Sequence, residues 1–152
     1  MAALTILLVK DNPDDALLTV RELNRHDVVN QIIVAQDGVE ALEYLFGTGR
    51  YTGRDARDCP TVVLLDLKLP KVDGLEVLHR IRTDTRTKYT PVVVLTSSDD
   101  QRDIVESYRL GVNSYVHKPV DFDQFQEAVR QLHLYWLLLN TPHLETYHEQ
   151  AA

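Results

Sequence analysis

A chain of 152 residues with 44% hydrophobic and 26% charged side chains fits one domain with an ordinary core and excludes disorder along most of its length. Sixteen Lys and Arg against 23 Asp and Glu leave a formal charge of -7, which repels a phosphate backbone or an anionic bilayer, so the expected partners are proteins, with no nucleic acid and no membrane. The single cysteine, Cys59, excludes an internal disulfide and a cysteine-built metal site. No basic leader precedes the first apolar run, and the longest apolar stretch, Leu134 to Leu139, is too short to span a bilayer; a soluble cytoplasmic protein is expected.

In chain order, Leu4 to Val9 reads as a strand buried on both faces, because it is a short continuous apolar run. Asn12 follows as an N-cap, with Pro13 at the first helical position and Asp14 and Asp15 in the first turn, where the helix dipole favours them. Ala16, Val20 and Leu23 mark the buried face of that first helix. Gln31 to Ala35 is a weaker strand, suited to a sheet edge, and Ala41, Leu42 and Leu45 mark a second helix. The connection from Gly47 to Pro60 carries Arg50, Arg54 and Arg57 among Asp55 and Asp58, and reads as a solvated loop.

Val62 to Leu65 is the next buried strand, followed by a helix with Leu75, Leu78 and Ile81 inward. Val92 to Leu95 is another, and Asp99 or Asp100 caps a fourth helix whose inward face is read as Ile104, Val105 and Tyr108, stopped by Gly111. Ser114 to His117 is the fifth strand, and a fifth helix runs from about Asp121 through Phe122, Phe125, Val129 and Leu132. Five strands each followed by a helix require right-handed crossovers and a doubly wound parallel sheet. The run Leu134 to Leu139, including Tyr135, Trp136 and Leu137, has no polar face and is read as an interface.

In such sheets chemistry gathers beyond the carboxyl ends of the strands. The residues found there are Lys10 and Asp11, Asp66, Thr96 with Ser97, and Lys118. Two carboxylates, a hydroxyl and an ammonium on one rim suit a phosphoryl group: carboxylates hold a divalent cation or accept the group, while hydroxyl and ammonium hold its oxygens. Each residue taken singly also has a plain reading, Asp66 as a loop cap, Thr96 and Ser97 as a helix-start turn, Lys118 as a surface lysine. The six histidines show no ligand spacing and are read as surface or packing residues.

The stretches ILLVKDNPDD, VVLLDLKLPKVDG, VVVLTSS and SYVHKP, in this order over about residues 4 to 135, resemble the receiver domains of two-component response regulators. The resemblance implies a flavodoxin-like (βα)5 fold with strand order 2-1-3-4-5. It implies Asp66 as phosphoacceptor, and Asp11, Asp66 and the backbone carbonyl of Lys68 as Mg2+ ligands. Thr96 and Ser97 would bind phosphoryl oxygens, Tyr115 would act as a switch, Lys118 would pair with the acyl phosphate, and the peptide between Lys118 and Pro119 would be cis. The long second connection and the tail LYWLLLNTP further resemble the small single-domain regulators that partner phytochromes. A sensor histidine kinase, of phytochrome type, is therefore the implied partner, and a homodimer built on Tyr115, Phe122, Tyr135, Trp136 and Leu137 is expected.

The expected organisation is a receiver domain over 1-140 and a tail over 141-152, with no output domain and no enzymatic substrate beyond its own phosphotransfer. One departure stands out. The family carries two acidic residues after the first strand, and here the first is Lys10. At a separation of about 6 Å such an exchange costs a divalent ion about 3 kcal/mol even with water-like screening, unless the lysine extends its stem to solvent. A pseudo-receiver that is not efficiently phosphorylated is thus the competing expectation. A haloacid-dehalogenase-like phosphatase is disfavoured because Lys68 stands where the second aspartate is needed, and a flavin carrier because KDNPDD is acidic where phosphate would bind.

Overall fold

The structure is a computed structural model that describes residues 4-24, 29-96 and 100-117. Its elements are β1 (Leu4–Val9), α1 (Pro13–Asn24), β2 (Val29–Ala35), α2 (Gly38–Phe46), a 3-10 turn (Gly49–Tyr51), β3 (Val62–Leu65), α3 (Gly74–Thr83), β4 (Val92–Thr96), α4 (Gln101–Arg109) and β5 (Ser114–His117). The strands form one parallel sheet in the order β2-β1-β3-β4-β5. The expected fifth helix and tail lie outside the described residues.

Alternation along the central strands sorts two cores. Leu7, Val9, Val63, Leu65, Val92 and Val94 face α2 and α3, where Ala41, Leu45, Val77, Leu78 and Ile81 are buried. Ile6, Leu8, Val62, Leu64, Val93 and Leu95 face the other way and pack with Ala16 and Leu23 of α1. Strands buried on both sides cannot slip by one residue without exchanging every contact, so register is tightly specified. The first helix starts as its sequence dictates: Asn12 Oδ1 accepts from the amides of Asp14 at 2.9 Å and Asp15 at 3.1 Å.

Two expectations need correction. On α4 the buried residue is Ser107, fully enclosed, while Val105 is 54% and Tyr108 57% exposed. The helix is phased by Asp100, whose side chain accepts from the Arg102 amide, and the small Ser107, its hydroxyl donating to the Asp103 carbonyl at 2.7 Å, gives the flat inward face. The second correction is the arginine-rich connection, which is not simply solvated. The Arg54 guanidinium lies 3.9 Å from the centre of the Tyr44 ring and donates to the carbonyls of Tyr44 and Asp58. Arg50 pairs with Glu40 at 3.4 Å and Glu43 at 3.1 Å. Arg57 alone of the three is exposed without such a described contact.

The loop between β3 and α3 is seated by two close backbone approaches. A Cβ at Gly74 would collide with the Asp66 carbonyl oxygen and stand 2.5 Å from Leu67 Cα, and one at Gly38 would collide with the Val72 carbonyl oxygen. The clashing atoms are backbone, so relief requires moving the loop. Gly74→Ala is expected to lower unfolding stability by about 1 to 3 kcal/mol, read from the urea midpoint.

Candidate functional site

The register of β1 on β3 pairs Val9 with Leu65, and the Asp66 amide donates to the Val9 carbonyl at 3.0 Å. One residue further, Lys10 stands beside Asp66, both on the alternation of Ile6, Leu8, Val62 and Leu64 and hence on the α1 side. The Lys10 amide continues the ladder on the other flank, donating to Ala35 at 3.0 Å. This is the point where strand order reverses, β1 lying between β2 and β3, and such a crevice is where ligands of open α/β sheets bind. Asp66 is 7% exposed and Lys10 3%, while Asp11 is exposed. A lysine so enclosed has not carried its ammonium to solvent, so the escape that a long stem allows is not taken.

After Asp66 the chain turns back on itself. The Lys68 amide donates to Asp66 Oδ1 at 3.1 Å, which fixes the carboxylate's orientation, and the Gly74 amide donates to Leu67 O at 3.0 Å. Lys71 takes a left-handed conformation, φ 68°, unfavourable for a residue with a Cβ, and its ammonium lies 3.4 Å from Asp37 Oδ2. Asp37 also caps α2 by accepting from the Glu40 amide at 2.8 Å. That amide, and then Lys71, hold its carboxyl below the usual carboxylate range.

Thr96 ends β4, paired with His117 in register, so the strand ends that should carry the hydroxyl and the ammonium are adjacent at one rim. The Thr96 side chain, Ser97, Lys118 and Pro119 lie outside the described residues, as do Phe122, Tyr135, Trp136 and Leu137. Tyr115 is half-buried against the α2 and α3 core and pairs with Val94.

Sequence reasoning missed two contacts around the site. Lys68 Nζ lies 3.4 Å from Asp103 Oδ2 on α4. Arg82, on α3, donates to the carbonyls of Leu110 at 2.9 Å and Gly111 at 2.8 Å, and to those of Thr90 at 2.6 Å and Lys88 at 3.2 Å. Desolvation draws its pKa down from the ordinary arginine value. Neither pairing has a local signature, because the partners come together only through the fold.

Asp11, Asp66 and the Lys68 carbonyl supply oxygen donors of the kind a hard divalent cation takes, one or two carboxylates completed by water. Among the described residues no group of three or more His, Cys, Asp or Glu is placed to hold a metal.

A doubly wound five-stranded sheet with an enclosed aspartate at its switch point defines a flavodoxin-like receiver fold. The chain belongs to the response regulator receiver domain family, whose sequence profile matches residues 6-130, and such domains work in two-component systems. It is 42% identical over 132 residues to the probable methanogenesis regulatory protein FilR2 of Methanothrix harundinacea, covering 87% of this chain and 83% of that one. Response regulator Rcp1 of Synechocystis is 36% identical over 132 residues, covering 87% and 88%; its Mn2+-bound form has been solved and superposes with a TM-score of 0.76 over 90% of this chain and 96% of that one. The bacteriophytochrome response regulator RtBRR is 48% identical, TM-score 0.77, covering 93% and 84%. The crystallised, phosphorylated cyanobacterial phytochrome response regulator RcpA is 38% identical, TM-score 0.78, covering 92% and 98%. Within the described residues no helix is long and apolar enough to cross a membrane.

Proposed function

We propose that the chain is a receiver that accepts a phosphoryl group on Asp66 from the phosphohistidine of a sensor kinase of phytochrome type, and passes the signal on by protein contact in the cytoplasm. The observation that carries this reading is the placement of Asp66, 7% exposed at the switch point, with one carboxylate oxygen already oriented by the Lys68 amide. The similarity to RcpA, solved phosphorylated, supports it, and the similarity to RtBRR supports the phytochrome pairing. In the transfer a carboxylate oxygen of Asp66 forms a bond to phosphorus while the bond from phosphorus to the kinase imidazole nitrogen breaks, its electron pair returning to the ring. Such a loose transition state asks for positioning and charge stabilisation rather than covalent help. Thr96, Ser97 and Lys118 are the residues proposed to hold the phosphoryl oxygens, with Tyr115 responding to Thr96. Asp66→Asn is expected to abolish base-labile labelling by kinase or acetyl phosphate, read by intact mass; equal labelling of the variant would move the acceptor elsewhere.

Asp11, Asp66 and the Lys68 carbonyl are the proposed ligands of Mg2+, which when bound supplies charge neutralisation for the incoming phosphoryl group. The enclosure of Lys10, 3% exposed, supports an ammonium that stays in the crevice as an ion-pair partner of Asp66 or Asp11 and competes with the metal. Screening inside is weaker than in water, so the cost of about 3 kcal/mol derived for aqueous screening is a lower bound on the direct repulsion, and the affinity falls by about a hundredfold or more. Lys10→Glu is expected to tighten Mg2+ binding by that order in calorimetry and to speed labelling. Equal affinity in both proteins would show that the lysine does not oppose the ion, and an unlabelled parent that is labelled after Lys10→Glu would make the natural protein a pseudo-receiver.

The proposed organisation is a receiver over 1-140 with a tail over 141-152, dimerising through Tyr115, Phe122, Tyr135, Trp136 and Leu137. The apolar run Leu134 to Leu139 supports this, since covering one large apolar side chain is worth about 1.5 to 3 kcal/mol. Trp136→Glu is expected to convert a dimer to a monomer in sedimentation at micromolar concentration; unchanged behaviour would place the interface elsewhere.

A further inference from the structure

The two ends of α4 are anchored by unlike means. At its C-terminal end Arg82 grips the carbonyls of Leu110 and Gly111, at 2.9 and 2.8 Å, together with those of Thr90 and Lys88. These are charge-assisted bonds from a planar fork, and they leave no freedom for that end to shift without stranding several acceptors. Near its N-terminal end, the ion pair of Lys68 with Asp103 spans 3.4 Å, with the lysine side chain 63% exposed. An exposed pair on a flexible stem holds weakly and is easily exchanged for a better partner. Lys68 is also the residue whose amide already holds Asp66 Oδ1, at 3.1 Å, so its ammonium is tethered within a side chain's reach of both the acceptor loop and α4.

We propose that Lys68 is a positioning residue that couples the charge on Asp66 to α4: its ammonium holds Asp103 while Asp66 is unphosphorylated, and transfers to the phosphoryl oxygens when they arrive. This rests on Asp66 being the acceptor. The phosphoryl group adds negative charge and strong acceptor oxygens beside the Lys68 backbone, whereas Asp103 offers one carboxylate, 3.4 Å from the ammonium. The lysine's departure removes a tie from the first turn of α4, and Arg82 keeps the last turn in place, so the helix loosens from its N-terminal end and pivots about Leu110 and Gly111. Val105 and Tyr108, exposed on its outer face, move with it.

Hydrogen exchange in peptides covering 100-111, with and without acetyl phosphate and Mg2+, tests this in the full chain, with intact mass giving the phosphorylated fraction. In the parent, exchange in the first turn is expected to rise several-fold on phosphorylation while the end held by Arg82 stays protected. Asp103→Asn and Lys68→Met are each expected to show the raised first-turn exchange before phosphorylation, and the double variant no more than either alone. A lost helix-dipole contribution at Asp103 would raise exchange in Asp103→Asn but not in Lys68→Met, which leaves α4 untouched. Unphosphorylated Lys68→Met with parental exchange would overturn the proposal, as would an unchanged rise on phosphorylation in that variant. If intact mass finds no phosphoryl group on the parent, the acceptor reading fails and the coupling with it, while the tie between Lys68 and Asp103 is still decided by the unphosphorylated proteins.

Discussion

The parallel pairing of β1 with β3 is the contact on which the site depends. It sets Val9 against Leu65 and so puts Lys10 and Asp66 side by side where the strands end. A slip of one residue would turn both to the opposite face and bring core leucines to the crevice. That slip is prevented far from the chemistry, by the interlocking of Leu7, Val9, Val63 and Leu65 with α2 and α3 and of Ile6, Leu8, Val62 and Leu64 with α1. Enclosing ionisable groups is tolerated only when they are paired or hydrogen-bonded, and Asp66 meets that condition through the Lys68 amide.

Around this pair the backbone is held by what glycine omits. Gly74 lets the start of α3 lie on the Asp66 and Leu67 backbone, and Gly38 lets α2 lie on Val72. The loop between them is then fastened by Lys71 on Asp37. The chain is acidic as a whole, at -7, yet an enclosed lysine, Lys10, stands beside Asp66 where β1 and β3 end. A local cation of this kind attracts an anionic group and opposes a divalent cation.

The central strands were legible because β1, β3 and β4 are continuous apolar runs, and α1 because Asn12, Pro13 and the two following aspartates spell out its start. The positions of Asp66 and Asp11, just past the ends of β3 and β1, were legible from the strand pattern. The phase of α4 was not, since Val105 and Tyr108 look like core residues and the buried position is filled by Ser107, a polar residue whose hydroxyl is satisfied within the helix by the Asp103 carbonyl. The role of Arg54 was hidden for a related reason: its charge suggests solvent, but its planar group stacks on Tyr44. Arg82 and the pair of Lys68 with Asp103 depend on long-range neighbours that no periodicity announces.

The central claim is that the group is carried by the carboxylate of Asp66. Borohydride reduces an acyl phosphate, but not a free carboxylate, to the alcohol, so an aspartate that bore phosphate becomes homoserine. Treating the acetyl phosphate-labelled protein in this way and mapping its peptides by mass spectrometry locates the acceptor directly. Homoserine at position 66 and at no other aspartate is the result expected here. Homoserine at Asp11 or another aspartate with position 66 intact, or none in a protein shown to carry phosphate, would contradict the account.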